Sequence, residues 1–491
     1  MHISIIINQL YKGANRPVSL TAAIALCVFF FSVSCPKTEA QMGQTMYFMD
    51  KLPQSSLLNP AYQHAHNFHL GLPGISSINI NARTNFASFS DIIFKHPQYD
   101  SLITMMHPAA NIEDFTSKLK ERNFIAPDLH VNLFSFGFRA NKSFISFNIS
   151  ERASFRASLP KDFLLLGLQG NEQFVGKKAD FSNIGVDMNY YREYALGYSY
   201  VIDEKLTVGA RGKLLFGKAN VSFANTDIGI YTDNDTYAMN LHSKFTVNLS
   251  MPITMDIEDG EINDVTVHFD DDDYDPLDFV LNSKNAGFAI DLGATYRLIE
   301  PVTLYASISD LGFIRWKQDA YNISMDGSYE FTGLDLTSLF DSSDDSEPGD
   351  NLLDELEESF KGNATEKSYV RGLPTRIYLG GTYELHRALS FGLLSRSEIY
   401  HSNIEQALTL SANTNLGRRL SASVSYSMMN NSYNNFGAGL SLRGLMFQFY
   451  VLSDNLNTIV MPHKTNSVNL WFGFNMMFGH KYPRRARGNN S

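Results

Sequence analysis

From about residue 75 to the end of the chain, hydrophobic and polar positions alternate with a period of two. Leu206, Val208, Ala210, Gly212, Leu214 and Phe216 alternate with Thr207, Gly209, Arg211 and Lys213. Ala286, Phe288, Ile290, Leu292, Ala294, Tyr296 and Leu298 do the same against Asp291, Thr295 and Arg297. Ile377, Leu379, Gly381, Tyr383 and Leu385 alternate with Arg376, Tyr378, Thr382 and Glu384, and a run from Val468 to Phe478 closes the series. Such a pattern predicts β-strands with one apolar and one polar face. The runs span about 9–13 residues, longer than the five or six usual in soluble sheets and matched to the roughly 9–11 that a tilted strand needs to cross a bilayer. The charges fall on the polar face of each run, as a wet lumen requires. Tandem soluble sandwiches would also alternate and are the competing reading.

The connections favour the barrel, because outer-membrane barrels pair short turns at one end with long loops at the other. Tight turns are predicted at Ala140-Asn141-Lys142, Asp203-Glu204-Lys205, Glu300-Pro301, His386-Arg387-Ala388, Gly417-Arg418-Arg419 and Arg443-Gly444. Six hairpins, with one strand before them at about 75–83 and one after at about 466–478, make a transmembrane antiparallel barrel of about fourteen strands over 75–480. Longer polar links such as 151–193, 311–374 and 453–465 become the external loops, those at about 250–285 and 333–374 being acidic. The alternating stretches 237–249 and 320–331 are left over. They are read as hairpins standing above the membrane, with sixteen strands as the alternative. Residues 111–121 and 351–360 lean helical and fall in loops.

Residues 41–74 lack sustained periodicity and carry Leu52-Pro53 and Asn59-Pro60-Ala61-Tyr62. A fourteen-strand barrel is too wide for its own side chains to fill, so this segment is expected to be a plug inside it, with Asn59, Pro60, Ala61 and Tyr62 as its structural motif.

Composition adds an address. Lys12 and Arg16 precede an apolar stretch from Val18 to Val33, followed by small residues, so 1–40 reads as a secretory signal peptide cut at Ala40/Gln41. A retained membrane anchor or lipidation at Cys35 are the alternatives. Both cysteines, Cys27 and Cys35, lie in this leader, so the exported chain has no disulfide. The localisation expected is the bacterial outer membrane, with its lipid as the first partner.

The exported chain carries a formal charge of -13, against -11 for the full sequence. Residues 256–278 hold eleven acids and 335–358 hold ten, with no Lys or Arg in either block, so the remainder is +8. No clustered basic surface exists to displace counterions from phosphates, and no nucleic-acid partner is expected. The tail 481–491 is basic through Arg484, Arg485 and Arg487. Asp270, Asp271, Asp272, Asp273 and Asp275 have the oxygen density that calcium requires but lack the glycine-turned loop of a calcium hand, so a hydrated acidic loop competes with a calcium site. No other cofactor is expected. His64, His66 and His69 are spaced by two and three, which fits neither a zinc helix nor a finger, and read as loop histidines. No Gly-x-Ser-x-Gly elbow or other nucleophile signature occurs, and the chain does not read as an enzyme.

Several segments resemble an uncharacterised family of Bacteroidetes outer-membrane proteins. They are the stretch from Leu52 to Tyr62, the strand Gly287 to Arg297, the run Ser309-Asp310-Leu311-Gly312-Phe313-Ile314-Arg315-Trp316, and the close from Phe472 to His480. That family is in turn similar to the long-chain fatty acid porins, fourteen-stranded FadL-like barrels with an internal N-terminal hatch. The resemblance implies a channel or transporter for small hydrophobic molecules, with such a molecule in the lumen. It carries over no ligand-binding residue. The alternative is a non-transporting barrel that docks surface or secretion proteins through its acidic loops.

Overall fold

The computed structural model describes residues 43–480, apart from 97, 106, 269–275, 332–358, 360–361, 401–402, 418, 430–431 and 461–464. The expected leader 1–40, the basic tail 481–491, Asp270 to Asp275 and nearly all of the helix expected at 351–360 lie outside the described residues.

Fourteen wall strands form one closed antiparallel ladder. The first, β1, has two segments, His66–Gly71 and Ser77–Thr84. Then come β2 (Arg122–Ala140), β3 (Ser143–Pro160), β4 (Gly185–Val201), β5 (Leu206–Thr232), β6 (Asn285–Ile299) and β7 (Val302–Trp316). Strand β8 again has two segments, Tyr369–Gly372 and Thr375–His386. The series continues with β9 (Leu389–Tyr400), β10 (Asn403–Leu416), β11 (Leu420–Met429), β12 (Ser432–Gly444), β13 (Phe447–Ser453) and β14 (Ser467–His480). The barrel closes where β14 pairs with β1, through Phe478 opposite Phe68 and Phe472 opposite Ile78.

Five of the six turns stand at the residues expected from the sequence. The sixth is displaced: Gly444 pairs with Phe447, so Leu445 and Met446 form the turn, with Leu445 at φ 46°. The glycine signal there was misleading, because a non-glycine residue takes the left-handed position. Two boundaries are also corrected. The wall begins at His66, not at 75, because His66–Gly71 pairs with both β14 and β2. The expected link 151–193 is strand at both ends, since β3 continues to Pro160 and β4 starts at Gly185, and the loop proper is 161–184. Arg152, Ser154, Arg156 and Ser158 made that stretch polar on the inner face, while Glu151, Ala153 and Ala157 diluted the apolar character of the other.

The stretches 237–249 and 320–331 stay out of the wall. Met239–Ser250 pairs with the outer half of β5 and with Ala320–Phe331, which in turn pairs with Gly362–Glu366. The result is a sheet branching from β5 at the long-loop end. In the first long loop, Ile112–Lys118 is helical, capped by Asn111 accepting from the Asp114 N–H at 3.1 Å.

The apolar face points outward. Leu214, Phe288, Leu292, Leu311, Phe313, Leu410, Val424 and Phe436 are exposed, whereas Arg211, Lys213, Asp291 and Arg396 on the inner face are nearly inaccessible. On β6, Leu292 faces outward while Asp291 and Gly293 face the lumen, which places Thr295 inward as well. Leu292→Arg sets a guanidinium against lipid at a cost of about 2–4 kcal/mol near the midplane. The share of protein that assembles into a heat-modifiable barrel should fall for Leu292→Arg and stay close to normal for Thr295→Arg. Equal assembly of the two would refute the facing of β6.

Candidate functional site: the occupied lumen

Residues 43–64 form a chain of tight turns that lies inside the barrel near its short-turn end. Its apolar residues follow no strand or helix period, because they pack against different sides of a surrounding wall. The N–H groups of Tyr47, Met49, Leu52, Ser55 and Leu58 each bond to the carbonyl three residues back. Pro53 opens a short 3₁₀ helix, Pro53–Leu57, at a position where its missing N–H costs nothing. Met46, Tyr47, Phe48, Met49, Leu52, Leu57, Leu58 and Tyr62 are buried against Tyr378, Leu394, Tyr450, Leu452 and Trp471 of the wall. The Tyr47 ring stacks on Tyr378 with centroids 5.2 Å apart.

Polar contacts fix the segment on several sides. Asp454, just past β13, accepts from the backbone N–H of Thr45 at 2.8 Å and of Gln44 at 3.3 Å. Thr45 Oγ1 and Ser425 Oγ share a hydrogen bond at 2.7 Å. Gln54 and Asn475 exchange amide hydrogen bonds at 2.8 and 3.0 Å. Ser307 of β7 donates to the Leu58 carbonyl at 2.8 Å, and Lys51 donates to the Gly417 carbonyl at 2.8 Å.

The Asn59-Pro60-Ala61 motif rests on a bare patch of wall. Asn59 Oδ1 accepts from the Ala61 N–H at 3.0 Å, a self-closed turn, and Asn59 Nδ2 donates to the Tyr47 hydroxyl at 3.2 Å. Beneath it Gly209 of β5 and Gly293 of β6 stand directly opposite one another. A Cβ on Gly209 would meet the Pro60 carbonyl oxygen at 2.2 Å, and one on Gly293 would meet Asn59 Oδ1 at 2.1 Å. These two glycines let the segment's backbone approach the wall.

The three histidines read as loop residues close the segment's far end. His64 precedes the wall, whereas His66 and His69 belong to β1, and all three are buried. The His64 and His66 rings stack with centroids 5.3 Å apart, and His69 stands edge-on to His66 at 5.5 Å. Burial holds His64 down at about 4 despite its contact with the Asp50 carbonyl, with Arg139 lowering it further, so its ring is neutral at pH 7. Among the described residues no group of three His, Cys, Asp or Glu is arranged to hold a metal ion.

Above the segment the lumen is crossed by a layer of ion pairs. Its hub is Asp310, where β7 carries a bulge: Ile290 pairs with Leu311 and Leu292 with Ile308, so two residues of β7 face one of β6. Asp310 takes φ 60° there, outside the strand region. Its carboxylate accepts from Lys213 at 2.5 Å, Arg376 at 2.7 Å and Arg152 at 3.3 Å. The Asp310 N–H donates to Asp291 Oδ1 at 2.8 Å, and Lys213 also pairs with Asp291 at 2.9 Å. Arg376 continues to Glu398 at 2.9 Å, and Glu398 also holds Arg396. Across the barrel, Arg83 of β1 and Arg156 of β3 both reach Glu405 of β10, at 3.1 and 3.0 Å. The sequence placed Arg211, Lys213, Asp291 and Arg376 on the lumen face. It did not reveal Asp310, whose one signal is that Ser309-Asp310 interrupts the alternation of β7.

Between this layer and the segment lies a cavity of about 110 Å³. Leu57, Leu58 and Trp471 line it from below, and Asn79, Asn81, Asp128, Arg152, Asp310, Arg376, Arg396 and Glu398 line it elsewhere.

A closed antiparallel wall with an apolar outer face and a polar interior is the form in which β-structure crosses an outer membrane, so this is an outer-membrane β-barrel with an internally folded N-terminal segment. The chain belongs to a family of unknown function, DUF5723, whose model matches residues 60–454. No curated protein matches it. Among solved structures it is similar to the toluene transporter TbuX of Ralstonia pickettii, with TM-score 0.41 and 8% identity over 87% of this chain and 94% of that one. A FadL homologue of Pseudomonas aeruginosa gives TM-score 0.41 and 10% identity, covering 90% and 99% of the two chains. The toluene transporter TodX of Pseudomonas putida gives 0.32 and 8%, covering 86% and 92%.

The glycine pad supplies a test. Gly209→Val forces the Asn59–Ala61 backbone off the wall, and an overpacking cost of about 1–3 kcal/mol should raise tryptic cleavage after Lys51 about tenfold. Gly212→Val, whose Cβ meets nothing within 4 Å, is the control and should leave cleavage unchanged. Equal protection of both variants would mean that the motif does not depend on close approach to β5.

Proposed function

We propose that this protein is a gated outer-membrane channel for a small molecule, in which residues 43–64 are the gate and the charged layer with its cavity is the part of the lumen that the solute meets. One observation carries the reading. Among the described residues, the segment is a folded insert hydrogen-bonded to β7, β11 and β14 across the lumen and continuous in sequence with β1 alone. A gate must combine a closed resting state with freedom to leave, and a segment held by noncovalent apolar packing and hydrogen bonds meets both needs.

The lumen's chemistry also bears on the cargo. A hydrophobic molecule of the kind implied by the family resemblance would displace water from buried guanidinium and carboxylate groups without replacing its hydrogen bonds, which is unfavourable. A hydrophilic solute replaces them. We therefore read the cargo as polar. The docking alternative would use the branched sheet of Met239–Ser250 and Ala320–Phe331 and assigns the gate no task.

Deleting residues 44–62 separates these readings and spares β1, which begins at His66. The deletion variant should assemble into the membrane, and its single-channel conductance in a planar bilayer should rise from near zero to a steady open level. A variant that assembles and stays silent would contradict the gate assignment.

A further inference from the structure

We infer that the cavity between the N-terminal segment and the ion-pair layer is a binding site for a small hydrophilic carboxylate that also carries hydrogen-bond donors, such as a hydroxy acid. The inference rests on the channel reading and names the chemical class that its lumen would accept.

Three observations meet at this cavity. The first is unmet hydrogen-bonding capacity. Arg396 of β9 is 1% exposed and gives one nitrogen to Glu398, while its Nε and Nη1 have no protein partner. The Tyr378 hydroxyl, fully buried, also has none, and neither do the Oδ1 atoms of Asn79 and Asn81 across the lumen on β1. Buried polar groups left unpaired cost free energy, so several of them around one space mark a place meant to be filled by a polar guest.

The second observation is charge. The lining holds four arginines, at 83, 152, 376 and 396, against three carboxylates, at 128, 310 and 398, which leaves one positive charge in excess. The carboxylates are engaged: Asp310 by three cations, Glu398 by two, and Asp128 by the Asn81 amide at 3.1 Å. An incoming anion therefore meets Arg396 as a cation with two donors to spare, and a charge-assisted bond to it is stronger than a neutral one.

The third is the arrangement of donors and acceptors. Arg396 and Tyr378 offer N–H and O–H groups on one side, and the two asparagine oxygens accept on the other. A simple anion would satisfy the first side and leave the second unmet. A hydrocarbon would satisfy neither. A short carboxylate with hydroxyl groups satisfies both, and the cavity's volume suits a solute of a few heavy atoms in place of several waters.

The test uses the full-length protein in mild detergent at low chloride and calorimetric titration with glycerate, glycerol, hexanoate and inorganic phosphate. Glycerate should bind saturably, and glycerol should not bind detectably. Arg396→Gln should weaken glycerate about tenfold or more, since it removes the charged donor, and Tyr378→Phe, which keeps the ring stacked on Tyr47, should weaken it about threefold. Arg376 still holds Glu398 in the Arg396 variant, and the Tyr378 variant keeps the test decisive if that protein fails to fold. The site is overturned if glycerate does not bind, if both variants bind it like the parent, if hexanoate binds better, or if phosphate competes at equal strength. Conductance of the 44–62 deletion is independent of these titrations. A conducting deletion without glycerate binding would remove the site and leave the channel, and a silent deletion with glycerate binding would do the reverse.

Discussion

A wall of fourteen strands encloses more space than its inward side chains can occupy, and the rest of this structure answers that constraint. An empty lumen would be an open pore. A lumen filled with apolar side chains would need residues larger than any available. Here the space is divided into layers. Turns of the N-terminal segment occupy the short-turn end, ion pairs bridge the middle, and apolar packing around Leu215, Ile314 and Trp316 lies on the long-loop side.

The middle layer is the costly one. Charges removed from water are costly unless each finds an opposite partner. Asp310 makes this feasible because the bulge of β7 turns its carboxylate toward Lys213, Arg376 and Arg152 together. Its neighbour in the wall is also irregular, since β8 breaks at Leu373-Pro374, between Gly372 opposite Phe313 and Arg376 opposite Ser309. Two adjacent strands thus give up regular pairing at one height, the height at which their charged side chains are needed. Local irregularity in a barrel wall commonly re-aims side chains in this way.

Much of the wall was legible in the sequence because a barrel strand obeys a simple rule, with lipid on one side and water or polar packing on the other. Leu292 and Arg211 declare their faces unaided. The rule weakens where strands rise beyond the membrane, as at 151–160, and there the sequence suggested loops. It fails inside the lumen, where partners lie hundreds of residues apart: the bond between Thr45 and Ser425, and the fit of Asn59 on Gly293, leave no periodic trace. The motif Asn59-Pro60-Ala61-Tyr62 could be singled out as structural, but its glycine partners are visible only once β5 and β6 are aligned.

The central claim is that residues 43–64 lie folded in the lumen, and a disulfide tests it most directly, since both cysteines of the chain, Cys27 and Cys35, lie in the expected leader. Thr45→Cys and Ser425→Cys replace hydroxyls 2.7 Å apart. In the assembled barrel this pair should oxidise almost completely, as read by gel shift and mass spectrometry of the linked peptides. Thr45→Cys paired with Ser199→Cys, which lies near the turn beside Gln63, should stay reduced. Failure of the first pair to form under oxidising conditions in a correctly assembled barrel, or equal linking of both pairs, would contradict the placement of the segment and the gate built on it.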